Sequence, residues 1–328
     1  MTRGMPGVRP AAMLGGAAGK ARFTLDTSRH SRCPRAVVVL PRVLFVVLVG
    51  TLAASIAFNA AAYLGAARHL RRHPPDCPFD DGDRGPWPAR AFSWLRAFVV
   101  ECSVTALLTL SVPVALRRQR VCEGDTGDAR RPVIVLHGYA QHSASVLLLI
   151  RRLRREAWLR LYSVRHAALG GNIEQSALRL AATIDRIRRD SGAAEVDVVA
   201  HGMGGLVARA CLRTRGRASG IARLITLGTP HQGTVAFRRL GLDPMLGQIR
   251  PGSALLRRLA DEPAPAAECI SIYSTDDALV VPPTAAYWPG AFNVAMRGIG
   301  HLSLLFSPRV YEIVRENLAA LPTAPAPP

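Results

Sequence analysis

Val196-Asp197-Val198-Val199-Ala200-His201-Gly202-Met203-Gly204-Gly205 sets a short apolar run against a glycine-rich turn. Residues 196–200 (VDVVA) have the composition of a buried strand, and residues 203–212 read as a helix. Gly202 therefore stands at a strand-to-helix turn. The same rhythm extends both ways from this point. Upstream, residues 132–136 (PVIVL) predict a buried strand, 145–156 a helix with an arginine face, and 161–165 a strand. Residues 173–189 predict a helix with Ala177, Leu180, Ile184 and Ile187 on one stripe. Downstream, strands are expected at 222–227, 269–273 and 292–296, with a last helix at 308–318. Strand alternating with helix predicts a predominantly parallel sheet with helices on both faces. Residues 235–265 break the rhythm; being arginine-rich and turn-rich, they read as an insertion over the sheet edge.

The region before this body is different. Residues 1–42 are rich in Gly, Ala and Arg, show no period, and read as a disordered basic arm. Residues 43–67 carry no charged side chain. As a helix they would extend roughly 37 Å, enough to cross a bilayer with some tilt. A cleaved signal peptide is the weaker reading, because its apolar stretch is shorter and nearer the start. Residues 68–130 form a neck containing a second apolar stretch, 97–116, interrupted only by Glu101. A buried charge makes a span costly, so this stretch reads as a helix on the body or the membrane, with a second crossing as the alternative. Glu101 itself reads as a solvated or helix-paired carboxylate. The body is 131–321 and residues 322–328 a disordered tail.

Composition limits the functional classes. The chain has 328 residues, 42 Lys+Arg against 23 Asp+Glu, and a net charge of +19. Lys20 is the only lysine, a bias that a GC-rich genome produces without selection for nucleic acid. No aromatic-interleaved basic motif, zinc module or phosphate-binding loop supports a nucleic-acid partner. Six cysteines show no metal-ligand spacing. Cys211 and Cys269 read as core residues, and Cys77 and Cys122 flank the neck where they could pair in an oxidising compartment.

Four motifs carry a resemblance. They are His137-Gly138-Tyr139 after the first strand, Ala200-His201-Gly202-Met203-Gly204, Leu227-Gly228-Thr229-Pro230-His231-Gln232-Gly233-Thr234, and the late pair Asp276-Asp277 and Gly300-His301. Their order resembles bacterial lipases and esterases of the α/β-hydrolase family, across about residues 131–321. The resemblance implies an α/β-hydrolase fold, no cofactor, an acyl-ester or lipid ligand, and His301 as general base. Asp277 would orient it, with Asp276 as competitor, and the backbone N–H groups of Tyr139 and Met203 would form the oxyanion hole. His137 and His201 would be structural neighbours and His231 a pocket-wall residue. At the decisive place the chain departs from the family: the nucleophile serine of G-x-S-x-G is Gly202. A rescue by Ser143 or Ser145 would need a rearranged turn. The basic arm implies an N-terminus in the cytoplasm, one crossing of a bacterial inner membrane, and a periplasmic body.

Overall fold

A computed structural model describes residues 36–73, 87–117, 130–164, 170–237, 243–261 and 267–320. The chain divides into two units, Met1–Phe45 and Val46–Pro328. Of the first, only residues 36–45, the opening of helix α1 (Ala36–Arg72), are described. The basic arm before it, the Cys77–Cys122 pairing and the tail lie outside the described residues.

Within the second unit, six strands form one sheet: β1 (Val133–Leu136), β2 (Leu161–Val164), β3 (Val196–His201), β4 (Ile221–Leu227), β5 (Glu268–Ser274) and β6 (Phe292–Met296). Their order is β2-β1-β3-β4-β5-β6 and every neighbouring pair is parallel. Parallel strands need crossovers, which put helices on both faces. Helices α4 (Ile173–Ser191) and α5 (Met203–Arg215) cover one face and bury Ala177, Leu180, Ile184 and Leu206 against Ile134, Val198 and Leu224. Helices α3 (Leu147–Arg155) and α8 (Pro308–Ala319) cover the other, where Leu153 and Val314 meet Val135, Val199 and Ile270. Because both faces are covered, β1 and β3 are buried at every position; β1 is a continuous apolar run, and β3 is apolar except for Asp197 and His201.

The chain leaves β1 toward β2 on one side and returns to place β3 on the other. That reversal opens a crevice beyond the carboxyl ends of β1 and β3, the usual position of a ligand in such sheets. Boundaries follow local chemistry. Asn172 caps α4 by accepting from the Gln175 N–H, and Gly192 ends it in a left-handed conformation.

Three expectations change. The insertion does not lie over a sheet edge. It follows an internal strand, β4, and its helices α6 (Pro244–Gln248) and α7 (Ala254–Ala260) pack on the α4/α5 side, where Arg209 of α5 donates to the Leu259 carbonyl. The neck is more helical than its polar composition implies, since α1 runs on to Arg72 and α2 (Trp87–Arg117) begins well before residue 97. Glu101 is not solvated: it is 2% exposed and bonded to the body of the protein.

Helices α1 and α2 lie side by side. Asn59 donates to the Thr105 hydroxyl, and the Tyr63 ring meets Trp94 and Phe98 edge-on. Higher α1 numbers face lower α2 numbers, so the two form an antiparallel hairpin. Each is long and apolar enough to cross a membrane, and their outer faces expose Val46, Val49, Leu52, Phe92, Val99 and Leu107.

Candidate active site

Gly202 is the turn between β3 and α5, with φ 52° and ψ −124°. A positive φ with strongly negative ψ is a region that side-chain-bearing residues enter only under strain, at about 1–3 kcal/mol. Glycine enters it freely. The turn is held from both sides: its N–H donates to the Leu227 carbonyl at 2.8 Å, and its carbonyl accepts from the Thr229 hydroxyl at 2.8 Å. The turn is thus held in a projecting geometry with no side chain on it to project. A Cβ placed on Gly202 would lie 3.1 Å from His301 Nε2.

His301 sits in the loop after β6, its side chain 11% exposed. Its Nδ1 is 2.7 Å from Asp277 Oδ2. The other Asp277 oxygen accepts from the N–H groups of Leu279 and Val280 at 2.8 and 2.9 Å. The carboxylate is therefore fully engaged and its orientation fixed. Burial disfavours the imidazolium, but the Asp277 charge and hydrogen bond, together with the Glu101 charge, outweigh it and hold His301 above the usual imidazole range. The adjacent acid serves differently. Asp276 accepts from the Gly298 N–H and the Ser93 hydroxyl, tying the same loop to α2.

Tyr139 and Met203 border the same cavity as Gly202 and His301. Tyr139 follows β1, and its hydroxyl donates to Asp243, which also caps α6. Met203 is the first residue of α5, where backbone N–H groups at a helix start point outward. The cavity holds about 620 Å³, within the roughly 300–1,000 Å³ of small-molecule sites. Its wall includes Phe58 of α1 and Leu108 and Val112 of α2, so the apolar hairpin closes one side of it.

His201 is a structural neighbour. Its Nε2 meets the His301 carbonyl at 3.0 Å and its Nδ1 the Gln141 amide at 3.0 Å. Burial, with the His301 charge, pushes its pKa well below the imidazole range, so it stays neutral. The ring contact of His137 is with the neighbouring Gly138 carbonyl. His231 is not among the residues that line the cavity, although the adjacent Pro230 is; its ring stacks on Trp288 and contacts the Thr226 hydroxyl. Ser145 borders the cavity, but its hydroxyl is held by the His142 carbonyl at 2.8 Å. Sequence reading missed Gln141, which accepts from the Gly138 N–H and so shapes the turn before Tyr139. It also missed the contacts of Ser93, Glu101 and Asp243. A polar residue inside an apolar helix was the only signal for Glu101.

A parallel sheet whose β1, β3, β5 and β6 ends assemble a glycine turn, an acid and a histidine in this order decides the architecture. The chain has the α/β-hydrolase fold. A family model described as a PGAP1-like alpha/beta domain matches residues 163–243. Among solved structures, lipase B of Aspergillus fumigatus superposes with a TM-score of 0.55 at 19% identity, over 60% of this chain and 54% of that one. The mature lipase BlEst2 of Bacillus licheniformis gives 0.51 at 16% identity, over 62% of this chain and 96% of the other. The chain thus spans about half the length of the fungal lipase and nearly all of the bacterial one.

Proposed function

We propose that this chain is a membrane-tethered protein of the lipase/esterase type whose acyl-ester site has lost its nucleophile and with it most or all turnover. The observation that carries the reading is the geometry at Gly202. The absent Cβ would lie 3.1 Å from His301 Nε2, while His301 Nδ1 is paired with Asp277 at 2.7 Å. In this reading His301 is the general base, Asp277 keeps its tautomer and orientation, and the N–H groups of Tyr139 and Met203 receive the oxyanion. With serine at the turn, Oγ would attack the ester carbonyl as its proton passes to Nε2. The alcohol would leave with that proton, and water would then release the acid. With glycine, only water activated by His301 can attack. Loss of a triad serine costs about 10⁶ in turnover.

Lipid is the favoured ligand class, because the cavity is walled in part by Phe58, Leu108 and Val112 of the apolar hairpin. The bilayer location rests on the length and apolarity of α1 and α2 and their exposed outer faces. Our reading is a single crossing by α1 of a bacterial inner membrane, with α2 on the body and the body in the periplasm. The competing reading is a binding or scaffold protein without turnover, favoured by how comfortably glycine occupies the turn.

The deciding experiment is Gly202→Ser in the full chain, assayed in detergent on a short p-nitrophenyl ester. Turnover should rise by several orders of magnitude and vanish in Gly202→Ser/His301→Ala, since the two groups act as one unit. The substitution should cost about 1–3 kcal/mol in a thermal melt, from the strained turn. A folded Gly202→Ser protein with unchanged turnover would overturn the hydrolase reading in favour of the binding protein.

A further inference from the structure

Helix α2 passes over the loop that carries His301, and one side chain joins them. Glu101 Oε1 accepts from the Leu302 N–H at 2.6 Å, and Oε2 accepts from the Ser303 N–H at 3.0 Å and the Ser303 hydroxyl at 2.6 Å. These donors open the short 3₁₀ turn Leu302–Leu305, which begins immediately after His301. The approach is close: a Cβ on Gly300 would collide with the Glu101 carboxylate. The carboxylate thus holds the two residues that follow His301 and lies against the one before it. Two more contacts join the same helix to the site. Ser93 donates to Asp276, which accepts from Gly298 in the same loop, and the Leu108 carbonyl meets His142 Nε2 at 3.2 Å beyond the Tyr139 turn.

We infer that Glu101 is a positioning residue for His301, so that the apolar helix α2 is part of the site and not only its support. A carboxylate inside an apolar helix is expensive unless something compensates it. Here three donors do so, all from the loop beside the site and none from α2. The arrangement also requires that one face of α2 stay on the body, so that face is closed to lipid. This inference rests on the proposed role of His301, but its test does not need ester turnover.

The test is an NMR titration of His301 in the full chain in detergent, its ring resonance assigned as the one missing from His301→Gln. The charged and titratable groups facing this ring are Asp277 after β5, Glu101 on α2 and His201 at the end of β3. In Glu101→Gln, which keeps the shape but removes the ionisable carboxylate and can serve only some of the donors, the titration midpoint should fall by about one pH unit. Amide exchange in residues 299–306 should rise by roughly tenfold, with β3 to β5 unchanged. Should Glu101→Gln fail to fold, Ser303→Ala removes one of the three bonds without altering α2 and should move both readouts in the same direction by less. An unmoved His301 midpoint in a folded variant overturns the positioning role, whether or not amide exchange changes.

Discussion

The His301–Asp277 pair makes acidity a direct probe of the site. Although burial opposes it, the Asp277 charge and hydrogen bond hold His301 above the usual imidazole value of 6.5 in the folded protein. A raised pKa stabilises the folded state fully below the unfolded value, and that contribution is lost as pH rises through the folded one. His201, with its pKa lowered, works in the opposite sense: its contribution is present above 6.5 and is lost as pH falls. The melting-temperature gap between the native chain and His301→Gln should therefore narrow as pH is raised between about 5 and 8. A gap that widens over that range would contradict the pairing. In Gly202→Ser, attack requires the neutral ring, so ester turnover should rise with pH to a midpoint above 6.5. At this scale the motif order led to His301 and Asp277, but not to the division of labour between the two acids. Asp276 and Asp277 are neighbours in sequence and serve different partners, Gly298 and His301. Only the backbone turn between them decides which side chain reaches the ring.

The elements were legible where one periodic face meets a sheet. The stripe on α4 is such a case: Leu180 and Ile184 are buried against the sheet, while Leu178 on the same helix is 60% exposed. Ile184→Ala should cost about 2–5 kcal/mol by denaturant titration, and Leu178→Ala little. Equal costs would place the stripe wrongly. The start of α3 was read two residues early, because residues 143–146 form a 3₁₀ turn before the α-helix begins at Leu147. Tightened turns at helix starts leave the apolar pattern unchanged, so periodicity does not reveal them. The insertion was recognised by composition but misplaced, since its position on α5 depends on Arg209 reaching Leu259 50 residues away.

At the scale of residues 46–328, the apolar hairpin and the α/β body form one packed structure rather than an anchor and a separate domain. Tyr63 packs with Ala97, Ala278 and Val281 in a cluster that joins α1, α2 and the loop of Asp277. If α1 alone crosses the membrane, reporters fused after Arg131 should be active as periplasmic and inactive as cytoplasmic fusions. Cytoplasmic activity at that junction would refute the one-crossing reading. The two helices pass the same test of length and hydropathy, so composition by itself does not separate one crossing from two. The Glu101 contacts with the body favour one.

What the sequence determined by itself was local in origin. Alternating strand and helix patterns specify a covered parallel sheet, and motif residues at strand ends bring Gly202, Asp277 and His301 forward as candidates. Each follows from a residue and its near neighbours. The glycine at position 202, on the turn between β3 and α5, was equally plain, because it is a matter of residue type. Tertiary structure alone decided that Glu101 is held by Leu302 and Ser303, 201 and 202 positions away. It also decided that Asp276 turns to Gly298 and Ser93, and that Phe58 and Val112 wall the cavity. The physical reason is that such contacts exist only once the sheet has brought distant loops to one end. A buried carboxylate is then settled by whichever donors packing delivers to it.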